Sequence, residues 1–446
     1  MMERPRISIA GCGYVGLVTA SCLASKGFKV IATTIKEDEA ELINKGQAPF
    51  YEKGLDEILK QAIDDDNLYV TLDNKMAILE TDITLICVGT PMRENNSIDL
   101  SFIDNISQEI GKALADKDGY HLIVARSTIV PGTTRDLIGK NIERLSGKRM
   151  GEHFGLAMQP EFLREGASVY DTFHPNRLIM GELDKKSGDI LESMWKQFYD
   201  EPYPPKERMN IESAEMVKYA NNCFLSTKIS FANEFARFAE LIPNVDVVQV
   251  MKGIGLDDRI NPNFLGAGVG FGGSCFHKDV SAIKNWAKEK GFQSRVLEAV
   301  LELNNDQAIH MVDIAEELIG DLKGKKIAIL GLSFKPGTDD MREAASLRVI
   351  KELSKRAVTN IVAYDPEAEE AAKKILNDTI KYSNSIEEAL QDSDCALLIT
   401  EWEQFKSLTP QDFIKHMKTP NLVDGRRIYD HDTFSKQLHF RTIGRK

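Results

Sequence analysis

The strongest constraint on the fold comes from residues 6–35, which read RISIAGCGYVGLVTASCLASKGFKVIATTI. A short apolar run at residues 7–10 meets three glycines spaced as G-x-G-x-x-G, and a segment with helical periodicity follows as far as Lys26. Residues 30–35 are again rich in β-branched side chains. This order predicts a strand–helix–strand unit, the building block of a parallel sheet with helices on both faces.

The same alternation predicts further strands along the chain, at residues 83–89, 121–128, 326–330, 360–364, 396–400 and 421–423. Between the two groups, the proline-rich stretch 201–208 is followed at residues 213–242 by a run without glycine or proline. That run indicates a long amphipathic helix, typical of a connection between domains or of a dimer seam. The predicted fold class is α/β, with two Rossmann-like doubly wound parallel-sheet domains joined by a long central helix.

Composition restricts the partners of this 446-residue chain. A net charge of −12 argues against nucleic acid or an anionic membrane as a partner, so an anionic ligand needs a local group of cations. No apolar run reaches the roughly 20 residues of a membrane helix, and the opening MMERPRISIAG has no signal-peptide stretch. Six cysteines, scattered without pairing or metal-ligand spacing, predict a reducing cytoplasm and no metal site.

The glycine motif GCGYVG has the position that a dinucleotide-binding turn requires, directly after a strand and at the start of a helix. Gly11, Gly13 and Gly16 permit a tight turn and a close approach of the backbone to a pyrophosphate. Tyr14 and Val15 open the helix, whose N-terminus stabilises negative charge. The motif predicts dinucleotide binding; the alternative is a purely structural glycine turn.

The end of the second predicted strand departs from the usual dinucleotide-binding pattern. An acidic residue is expected about 20 residues after the glycines, where it holds the hydroxyls of the adenosine ribose. This chain has Thr34 and Lys36 there, and no carboxylate before Glu37 and Asp38. Loss of the acid removes repulsion of a 2′-phosphate, so the sequence permits NADP as well as NAD. Alternatively, Thr34 or the backbone binds the ribose and Lys36 is merely solvated.

A second glycine-rich segment, GVGFGGSCFHKDV at residues 268–280, contains a single cysteine. Cys275 precedes a segment with helical periodicity, and a helix N-terminus together with Lys278 favours a thiolate, the nucleophilic form. Asp279 follows on the same helical face, where it can orient water or a proton donor. The alternative is a buried structural cysteine, but flanking glycines favour the nucleophile over it.

A dinucleotide and a thiol nucleophile together predict one kind of reaction. An alcohol is oxidised to an aldehyde, which the thiol captures as a thiohemiacetal. A second hydride loss gives a thioester, and water releases an acid. Addition of the thiol makes the second oxidation feasible, because a free aldehyde has no carbon that bears both a hydroxyl group and a hydrogen that can leave as hydride. The two motifs therefore predict an alcohol-to-carboxylate dehydrogenase.

Ten motifs occur in the order found in the nucleotide-sugar 6-dehydrogenases: GCGYVGL, PFYEKGL, VGTP, STIVPGTT, QPEFLREG, EMVKYANNCFLSTKISFANE, GLDDRI, GFGGSCFHKD, SFKPGTDDMRE and DGRRIYD. The chain resembles this family, the UDP-glucose/GDP-mannose dehydrogenases, over essentially its whole length. The resemblance implies the four-electron oxidation of UDP-glucose to UDP-glucuronate with two NAD(P)⁺. The segment NPNFL after DDRI favours this substrate over GDP-mannose or a UDP-N-acetylhexosamine.

The resemblance implies that six residues perform the chemistry: Cys275, Lys218, Asn222, Asp279, Glu161 and Thr128. Cys275 would be the nucleophile. Lys218 and Asn222, one helical turn apart, would stabilise the alkoxide and oxyanion of the intermediates, a role that suits a cation and an amide donor.

The same resemblance implies how the thioester is hydrolysed. Asp279 and Thr128 would hold the catalytic water, and Glu161 would act in general acid/base work. Glu165 would lie near the nicotinamide. Because Glu161 and Glu165 are spaced i, i+4, their repulsion is expected to raise the pKa of one of them.

The ligand contacts expected from the motifs and the resemblance fall into two sets. The cofactor set is Gly11, Gly13, Tyr14, Val15, Gly16, Thr34, Lys36, Thr90, Pro91, Thr128, Glu165 and Arg342. The substrate set is Glu161, Phe162, Leu163, Lys218, Asn222, Arg259, Phe271, Gly272, Gly273, Lys335 and Arg426. The resemblance implies a homodimer in which Arg259 reaches the neighbouring active site, while Lys335 and Arg426 supply cations to the nucleotide diphosphate and sugar.

Three domains are expected. Residues 1–205 would form an N-terminal dinucleotide-binding Rossmann domain, and residues 206–310 a central helical linker and dimerisation region that carries Cys275. Residues 311–446 would form a C-terminal Rossmann-like domain. This last domain retains only Gly331 and Gly337 and lacks G-x-G-x-x-G, so it is expected to bind the UDP-sugar rather than a second cofactor.

Besides the missing ribose-binding acid, two further positions depart from the family pattern. His277 replaces a proline common in the cysteine loop, and Ala345 replaces another proline. His277 is expected either to perturb Cys275 or to face solvent, and the family chemistry does not require it as a base. Two other functional classes stay open: a two-electron reductase or isomerase with a structural Cys275, and a catalytically silent binding module of the same fold.

Overall fold

The structure, a computed structural model, describes residues 4–446. It divides into two compact units, one ending at Asn221 and the other running from Asn222 to Lys446. Each unit is built on its own sheet. No helix within residues 4–446 is long and apolar enough to cross a membrane.

The first unit has eight strands: β1 (Ile7–Ala10), β2 (Val30–Thr33), β3 (Leu68–Thr71), β4 (Ile83–Ile86), β5 (His121–Ala125), β6 (Phe154–Met158), β7 (Leu178–Glu182) and β8 (Lys206–Asn210). Their order in the sheet is β3-β2-β1-β4-β5-β6-β7-β8. Strands β1 to β6 run parallel, whereas β7 is antiparallel to β6 and parallel to β8. The six parallel strands have the order of a dinucleotide-binding Rossmann sheet.

The helices of this unit are α1 (Tyr14–Ser25), α2 (Glu37–Asn44), α3 (Leu55–Asp64), α4 (Asn74–Leu79), α5 (Ser101–Ala115), α6 (Lys140–Ser146), α7 (Ser168–Phe173), α8 (Lys185–Phe198) and the start of α9 (Ile211–Glu240). A π-helical turn, Thr134–Gly139, precedes α6. Alternate strand residues enter two separate apolar cores. In β5, for example, Leu122 and Val124 belong to one core, and Ile123 and Ala125 to the other.

The second unit has six strands: β9 (Lys326–Leu330), β10 (Asn360–Tyr364), β11 (Lys381–Tyr382), β12 (Cys395–Leu398), β13 (Asn421–Asp424) and β14 (His439–Thr442). All run parallel in the order β11-β10-β9-β12-β13-β14, which repeats the order of the first six strands of the other sheet. Two apolar cores again lie on its faces, with Leu397 in one and Leu398 in the other.

The helices of the second unit are the remainder of α9, α10 (Val247–Gly255), α11 (Phe276–Glu289), α12 (Arg295–Ile319), α13 (Ala345–Lys355), α14 (Glu369–Leu376), α15 (Ile386–Leu390), α16 (Glu403–Lys406), α17 (Pro410–His416) and α18 (His431–Ser435). A 3₁₀ turn, Asn377–Thr379, follows α14. Helix α9 is the long central helix expected from the sequence. The predicted fold class is therefore confirmed.

Three strands of the first unit end earlier than the sequence predicts. The strand predicted at 30–35 ends at Thr33, that at 83–89 ends at Ile86, and that at 121–128 ends at Ala125. In each case the apolar pattern continues into a loop at the carboxyl end of the sheet, the edge where ligands of such sheets bind. Six of the observed strands were not predicted: β3, β6, β7, β8, β11 and β14. The domain boundaries at 205 and 310 stay a prediction; β8 extends the first sheet beyond residue 205, and α12 spans residue 310.

Candidate active site

The glycine motif forms an open turn at the N-terminus of α1. Gly11 has a φ of +103°, which favours glycine, and a Cβ there would lie 3.0 Å from the backbone nitrogen of Val88. A Cβ on Gly16 would lie 1.8 Å from the carbonyl oxygen of Gly11, so this glycine lets the helix pack against the turn. A Cβ on Gly13, by contrast, meets no atom of the described chain within 4 Å. Gly13 is the N-cap of α1, and open space beside a helix N-terminus fits a pyrophosphate.

Alanine at two of these glycines is expected to separate ligand approach from folding. Gly13→Ala should leave the melting temperature within about 2 °C of the wild type. It should weaken NAD binding about tenfold or more, because the new methyl group occupies the pyrophosphate space. Gly16→Ala should destabilise the protein by about 2–4 kcal/mol, since its Cβ overlaps the Gly11 carbonyl. Calorimetric titration and thermal melting measure the two effects; unfolding of Gly13→Ala with an unaffected Gly16→Ala contradicts this assignment.

The loops after β4 and β5 contain three further residues expected to contact the cofactor. Thr90 and Pro91 follow β4, and Thr128 follows β5. The Thr90 hydroxyl donates a hydrogen bond of 2.9 Å to the Thr128 carbonyl, which ties the two loops together. Strand β4 adjoins β1 and the glycine turn, so Thr90 and Thr128 lie at the same carboxyl edge of the sheet as Gly11.

The residues after β2 contact a carboxylate that the sequence interpretation did not consider. Thr34 is buried, and its hydroxyl donates to Oε2 of Glu39 at 3.3 Å. The ammonium of Lys36 lies 2.6 Å from Oε1 of Glu39, and this hydrogen bond raises the pKa of Lys36. Lys36 is therefore not merely solvated. Glu39 lies in the first turn of α2, just beyond Glu37 and Asp38.

A buried carboxylate that sequence reasoning missed connects the glycine turn to residues 166–168. Glu52 accepts hydrogen bonds from the Tyr14 hydroxyl and from the backbone N–H groups of Gly166, at 2.7 Å, and Ser168, at 2.8 Å. Burial raises the pKa of Tyr14, and the hydrogen bond to Glu52 and the charge of Glu165 add to this effect. Tyr14 is thus a neutral donor. The motif PFYEKGL, which contains Glu52, gives no hint of this contact.

Lys218 and Glu161 form a buried ion pair in the first unit. The Lys218 ammonium lies 2.9 Å from Oε1 of Glu161 and donates to its carbonyl oxygen at 2.7 Å. Lys218 is 4% exposed, so it is not an ordinary surface lysine. Oε2 of Glu161 accepts from the N–H of Leu163 at 2.6 Å. Burial acts to raise the pKa of Glu161, but Lys218 and the Leu163 N–H outweigh burial and lower it.

Glu161 and Glu165 do not lie on a helix, and the repulsion expected between them stays a prediction. Residues 161–164 are irregular and Glu165 lies in a turn, so the i, i+4 spacing does not place the two carboxylates on a common face. The pKa of Glu161 falls rather than rises, because its partner is the cation of Lys218. The charge of Glu165 acts on Tyr14, which places Glu165 near the start of α1.

Phe162, the neighbour of Glu161, makes two cation–π contacts. The Phe162 ring stacks against the guanidinium of Arg177 at 3.8 Å, and the Lys218 ammonium lies 5.4 Å from the ring centroid. Both contacts fix the segment that carries Glu161. Arg177 was not predicted as a site residue, since a lone arginine carries no sequence signal of such packing.

Glu215 anchors α9 one turn before Lys218. It is buried and accepts hydrogen bonds from the backbone N–H groups of Gly132, at 2.6 Å, and Thr134, at 2.7 Å. The Thr134 hydroxyl also donates to it, at 2.6 Å. These donors belong to the loop that follows Thr128, so a single carboxylate connects that loop to the helix that carries Lys218. Sequence reasoning missed Glu215 as well.

In the second unit, the glycines around Cys275 let its loop press against another backbone segment. The N–H of Gly273 donates to the Arg342 carbonyl at 2.9 Å. A Cβ on Gly272 would lie 2.4 Å from the Glu343 carbonyl oxygen, and one on Gly273 would lie 2.7 Å from the Phe334 ring. These glycines are therefore required by packing. Cys275 itself is exposed and is the N-cap of α11, with the Ser274 hydroxyl 3.6 Å from its sulfur.

Asp279 organises the start of α11. It is 1% exposed and accepts hydrogen bonds from the Asn222 amide at 2.6 Å and from the Lys278 ammonium at 2.5 Å. Its backbone N–H donates to the Cys275 carbonyl at 2.8 Å. The structure thus brings Asn222, Asp279 and the backbone of Cys275 together, and the catalytic roles implied for them stay a prediction. Asp279 holds the Lys278 ammonium, and the expected action of Lys278 on the thiolate stays a prediction.

His277 does not face solvent. Its Nδ1 lies 3.9 Å from the Glu343 carboxylate, and burial lowers its pKa. Glu343 in turn lies 3.4 Å from the guanidinium of Arg348, which donates to the Phe271 carbonyl at 2.8 Å. These contacts tie the cysteine loop to the start of α13, where Ala345 is the first residue.

The cations expected to bind the nucleotide sugar have separate supports. Arg426 donates to the carbonyls of Ile399, at 2.5 Å, and Gly270, at 3.3 Å. The buried Asp424 accepts from the Arg426 N–H at 2.8 Å and so shapes this loop. The Lys335 ammonium lies 5.4 Å from the centroid of the Phe334 ring.

Arg259 and Arg342 each lie in an Asp-x-Arg turn of their own. Asp257 accepts from the backbone N–H and the guanidinium of Arg259, at 2.9 and 2.6 Å. Asp340 does the same for Arg342, at 2.8 and 2.7 Å. The Arg259 side chain is 88% exposed and that of Arg342 is 64% exposed. Both guanidinium groups therefore face solvent within their own unit.

The second unit has an acid at the end of β10, the position where the first unit lacks one at the end of β2. Asp365 accepts from the N–H groups of Leu332, at 2.7 Å, and Ser333, at 3.0 Å, and from the Trp402 indole at 3.1 Å. The turn is also closed, because a Cβ on Gly331 would lie 2.4 Å from the Thr400 side chain. A ribose would have to displace these contacts.

The first unit has the strand order, the glycine turn and the open helix N-terminus of a dehydrogenase that binds a nicotinamide dinucleotide. Residues 5–199 match the NAD-binding domain of the UDP-glucose/GDP-mannose dehydrogenase family, residues 212–306 its central domain, and residues 328–431 its UDP-binding domain. The chain belongs to the UDP-glucose/GDP-mannose dehydrogenase family, and NAD is its cofactor.

Named relatives extend this result. The chain is 41% identical over 423 residues to the UDP-glucose 6-dehydrogenase AglM of Haloferax volcanii, with 95% of this chain and 96% of the relative covered. It is 36% identical over 437 residues to a GDP-mannose 6-dehydrogenase of Pseudomonas syringae pv. syringae, with 95% of each covered. A solved UDP-glucose dehydrogenase of Pyrobaculum islandicum superposes with a TM-score of 0.92 at 33% identity, covering 100% of this chain and 98% of the other.

Proposed function

We propose that this enzyme oxidises UDP-glucose to UDP-glucuronate in two successive NAD-dependent steps, through a covalent intermediate on Cys275. The observation that carries the proposal is the exposed Cys275 thiol at the N-terminus of α11, within a family of nucleotide-sugar dehydrogenases. Relatives named UDP-glucose 6-dehydrogenase support this choice of substrate.

The chemistry balances as follows. Bound at the glycine turn of residues 11–16, NAD would supply the hydride acceptor of each of the two oxidations, and each oxidation would also release one hydroxyl proton. After the first, the Cys275 sulfur bonds to the aldehyde carbon and the former carbonyl oxygen gains a proton, which gives a thiohemiacetal. The second oxidation turns this adduct into a thioester. Water then adds to the thioester carbon, the C–S bond breaks, and the acid and the thiol are released.

Asn222 and Lys218 would stabilise the negative charge that develops in this reaction. In the second unit, the Asn222 amide is positioned by the buried Asp279, so it can donate to an oxyanion formed next to Cys275. In the first unit, the Lys218 cation is positioned by Glu161 and stabilises the alkoxide. Glu161 is ionised in this pair, which is the protonation state that a general base requires.

The substrate is an anion, and the second unit supplies its cations. Lys335 and Arg426 would bind the nucleotide diphosphate and the sugar, and the match of residues 328–431 to a UDP-binding domain supports this. The internal hydrogen bonds of Asp365 support the view that this domain binds no second dinucleotide. We also propose domain boundaries at residues 205 and 310. The proposed location is a reducing cytoplasm, in which Cys275 stays a thiol.

Stoichiometry tests the reaction. Purified protein with UDP-glucose and NAD should form two NADH per UDP-glucuronate, measured by absorbance and by chromatography of the sugar nucleotide. GDP-mannose and UDP-N-acetylglucosamine serve as competing substrates, since a GDP-mannose 6-dehydrogenase is among the relatives. One NADH per sugar would rule out the thioester scheme, and a higher kcat/KM with GDP-mannose would change the substrate but not the chemistry.

The proposed assembly is a homodimer along α9. Phe224, Phe231 and Phe238 recur every seven residues on this helix and are 64%, 42% and 48% exposed. A heptad spacing places them on one face, and exposed aromatic stripes of this kind mark protein interfaces. The exposed Arg259 guanidinium would extend from one protomer to the active site of its partner.

Disruption of this stripe is expected to dissociate the dimer. The double variant Phe224→Asp/Phe231→Asp should elute as a monomer, because two buried carboxylates at an apolar seam cost several kcal/mol. Phe292→Asp, at an exposed phenylalanine outside α9, is the matched control and should stay dimeric. Light scattering measures the mass. NAD binding should persist in the monomer, and a variant that remains dimeric would place the interface elsewhere.

A further inference from the structure

The end of β2 lacks the acid that normally reads the adenosine ribose, but a carboxylate from the next helix lies there. Glu39 turns back from the first turn of α2, so that its two oxygens contact Thr34 at 3.3 Å and Lys36 at 2.6 Å. Its side chain is 24% exposed, which leaves part of the carboxylate open to a ligand. Ile35 lies between Thr34 and Lys36 in the sequence and is 82% exposed, so the turn after β2 is accessible to solvent.

The position of Glu39 relative to the glycine turn follows from the sheet. Thr33, the last residue of β2, pairs with Ala10 of β1, and its carbonyl accepts a hydrogen bond from Gly11 at 3.0 Å. Thr34 is therefore adjacent to the turn, and Glu39 is bound to Thr34. The Glu39 charge also contributes, after burial and Cys87, to the raised pKa of Cys12, which lies inside the glycine motif. The carboxylate thus lies where the dinucleotide fingerprint requires an acid.

We propose that Glu39 replaces the missing acid: it accepts hydrogen bonds from the hydroxyls of the adenosine ribose and excludes a 2′-phosphate. A carboxylate at this position repels a phosphate and favours a hydroxyl donor. Lys36 would attract a 2′-phosphate if it stood alone, but its ammonium is neutralised by Glu39. NAD selectivity is therefore restored by a residue five positions after the usual one. The inference concerns the cofactor alone and holds for any sugar substrate.

Two neighbouring acids provide matched controls. Glu37 and Asp38 lie in the same first turn of α2 and have the same charge, but both are exposed. If the general negative charge of this turn determined selectivity, then neutralising any of the three acids would have a similar effect. If contact with the ribose determines it, only Glu39 matters.

The test compares Glu39→Gln with Glu37→Gln, by calorimetric titration of NAD and NADP without sugar and by steady-state kinetics with UDP-glucose. Glu39→Gln should weaken NAD binding about tenfold and strengthen NADP binding, so that their affinity ratio shifts about 100-fold. The change should appear in KM, with kcat at saturating NAD within about twofold, because no reacting atom is touched. Glu37→Gln should leave the ratio unchanged. Thermal melting shows that each variant is folded.

A second substitution checks the role of Lys36. In the Glu39→Gln background Lys36 loses its partner, so the double variant Glu39→Gln/Lys36→Ala should lose most of the gain in NADP affinity. An unchanged NAD-to-NADP ratio in Glu39→Gln, or an equal shift in Glu37→Gln, overturns the proposal. Because binding is measured without sugar, such a result leaves the reaction proposed for Cys275 unaffected.

Discussion

Replacing Cys275 with alanine is expected to reduce the rate of uronate formation by about 1000-fold or more. Without the sulfur, the aldehyde has no covalent adduct from which a second hydride can leave. Cys275 is exposed and is the N-cap of α11, so truncation of its side chain leaves the apolar cores intact. The melting temperature and NAD affinity should therefore match the wild type. A coupled assay of NADH and UDP-glucuronate measures the loss.

Two further variants make this result specific to the thiol. Ser274→Ala changes the side chain that lies 3.6 Å from the Cys275 sulfur and should retain activity within about threefold. Glu161→Gln should slow hydrolysis, so that mass spectrometry detects an acyl adduct on Cys275. The absence of an adduct in this variant, or acid formation by Cys275→Ala at the native rate, would show that the reaction does not pass through a thioester.

The fold could be predicted where strands are buried on both faces. The apolar runs of β1 and β9 indicate their strands directly, since both faces of each pack in a core. Strand β8, with the sequence KERMN, has no apolar pattern and is largely exposed. Its pairing with β7 is reinforced by Arg208, which donates to Glu182 at 2.9 Å. Such a pairing depends on tertiary contacts that no local pattern encodes.

The candidate site could be predicted where residue type and local context coincide. Cys275 is recognisable because glycines and a helix start surround it. Glu39 was harder to predict. Its contact with Thr34 requires α2 to begin directly after Lys36, with the first turn of the helix directed back toward Thr34. The contact of Glu52 has no signal in the sequence, since its partner Gly166 is 114 residues away. Sequence patterns therefore do not predict carboxylates whose partners are distant in the sequence.

Removal of the Lys218 charge is expected to damage both activity and stability. Lys218→Met should lower kcat about 100- to 1000-fold, because the cation that stabilises the alkoxide is gone. It should also destabilise the fold by about 3–5 kcal/mol, because the Glu161 side chain, only 10% exposed, is then left without its cation. Lys218→Arg is the control: it keeps the charge and should recover most of the stability while restoring activity only in part.

The dependence of this destabilisation on pH distinguishes an electrostatic cause from lost packing. In the wild type, Lys218 lowers the pKa of Glu161 below its ordinary value of 4.5, so the pair stabilises the fold above that pH and loses this contribution as the pH falls through the lowered value. In Lys218→Met, only the Leu163 N–H and the charge of Arg126 still oppose burial, so the pKa of Glu161 is expected to rise and its ionisation at higher pH to oppose folding. The stability difference measured by urea unfolding should therefore be larger at pH 7 than near pH 4. An equal difference at both pH values would mean that Lys218 contributes through packing rather than through its charge.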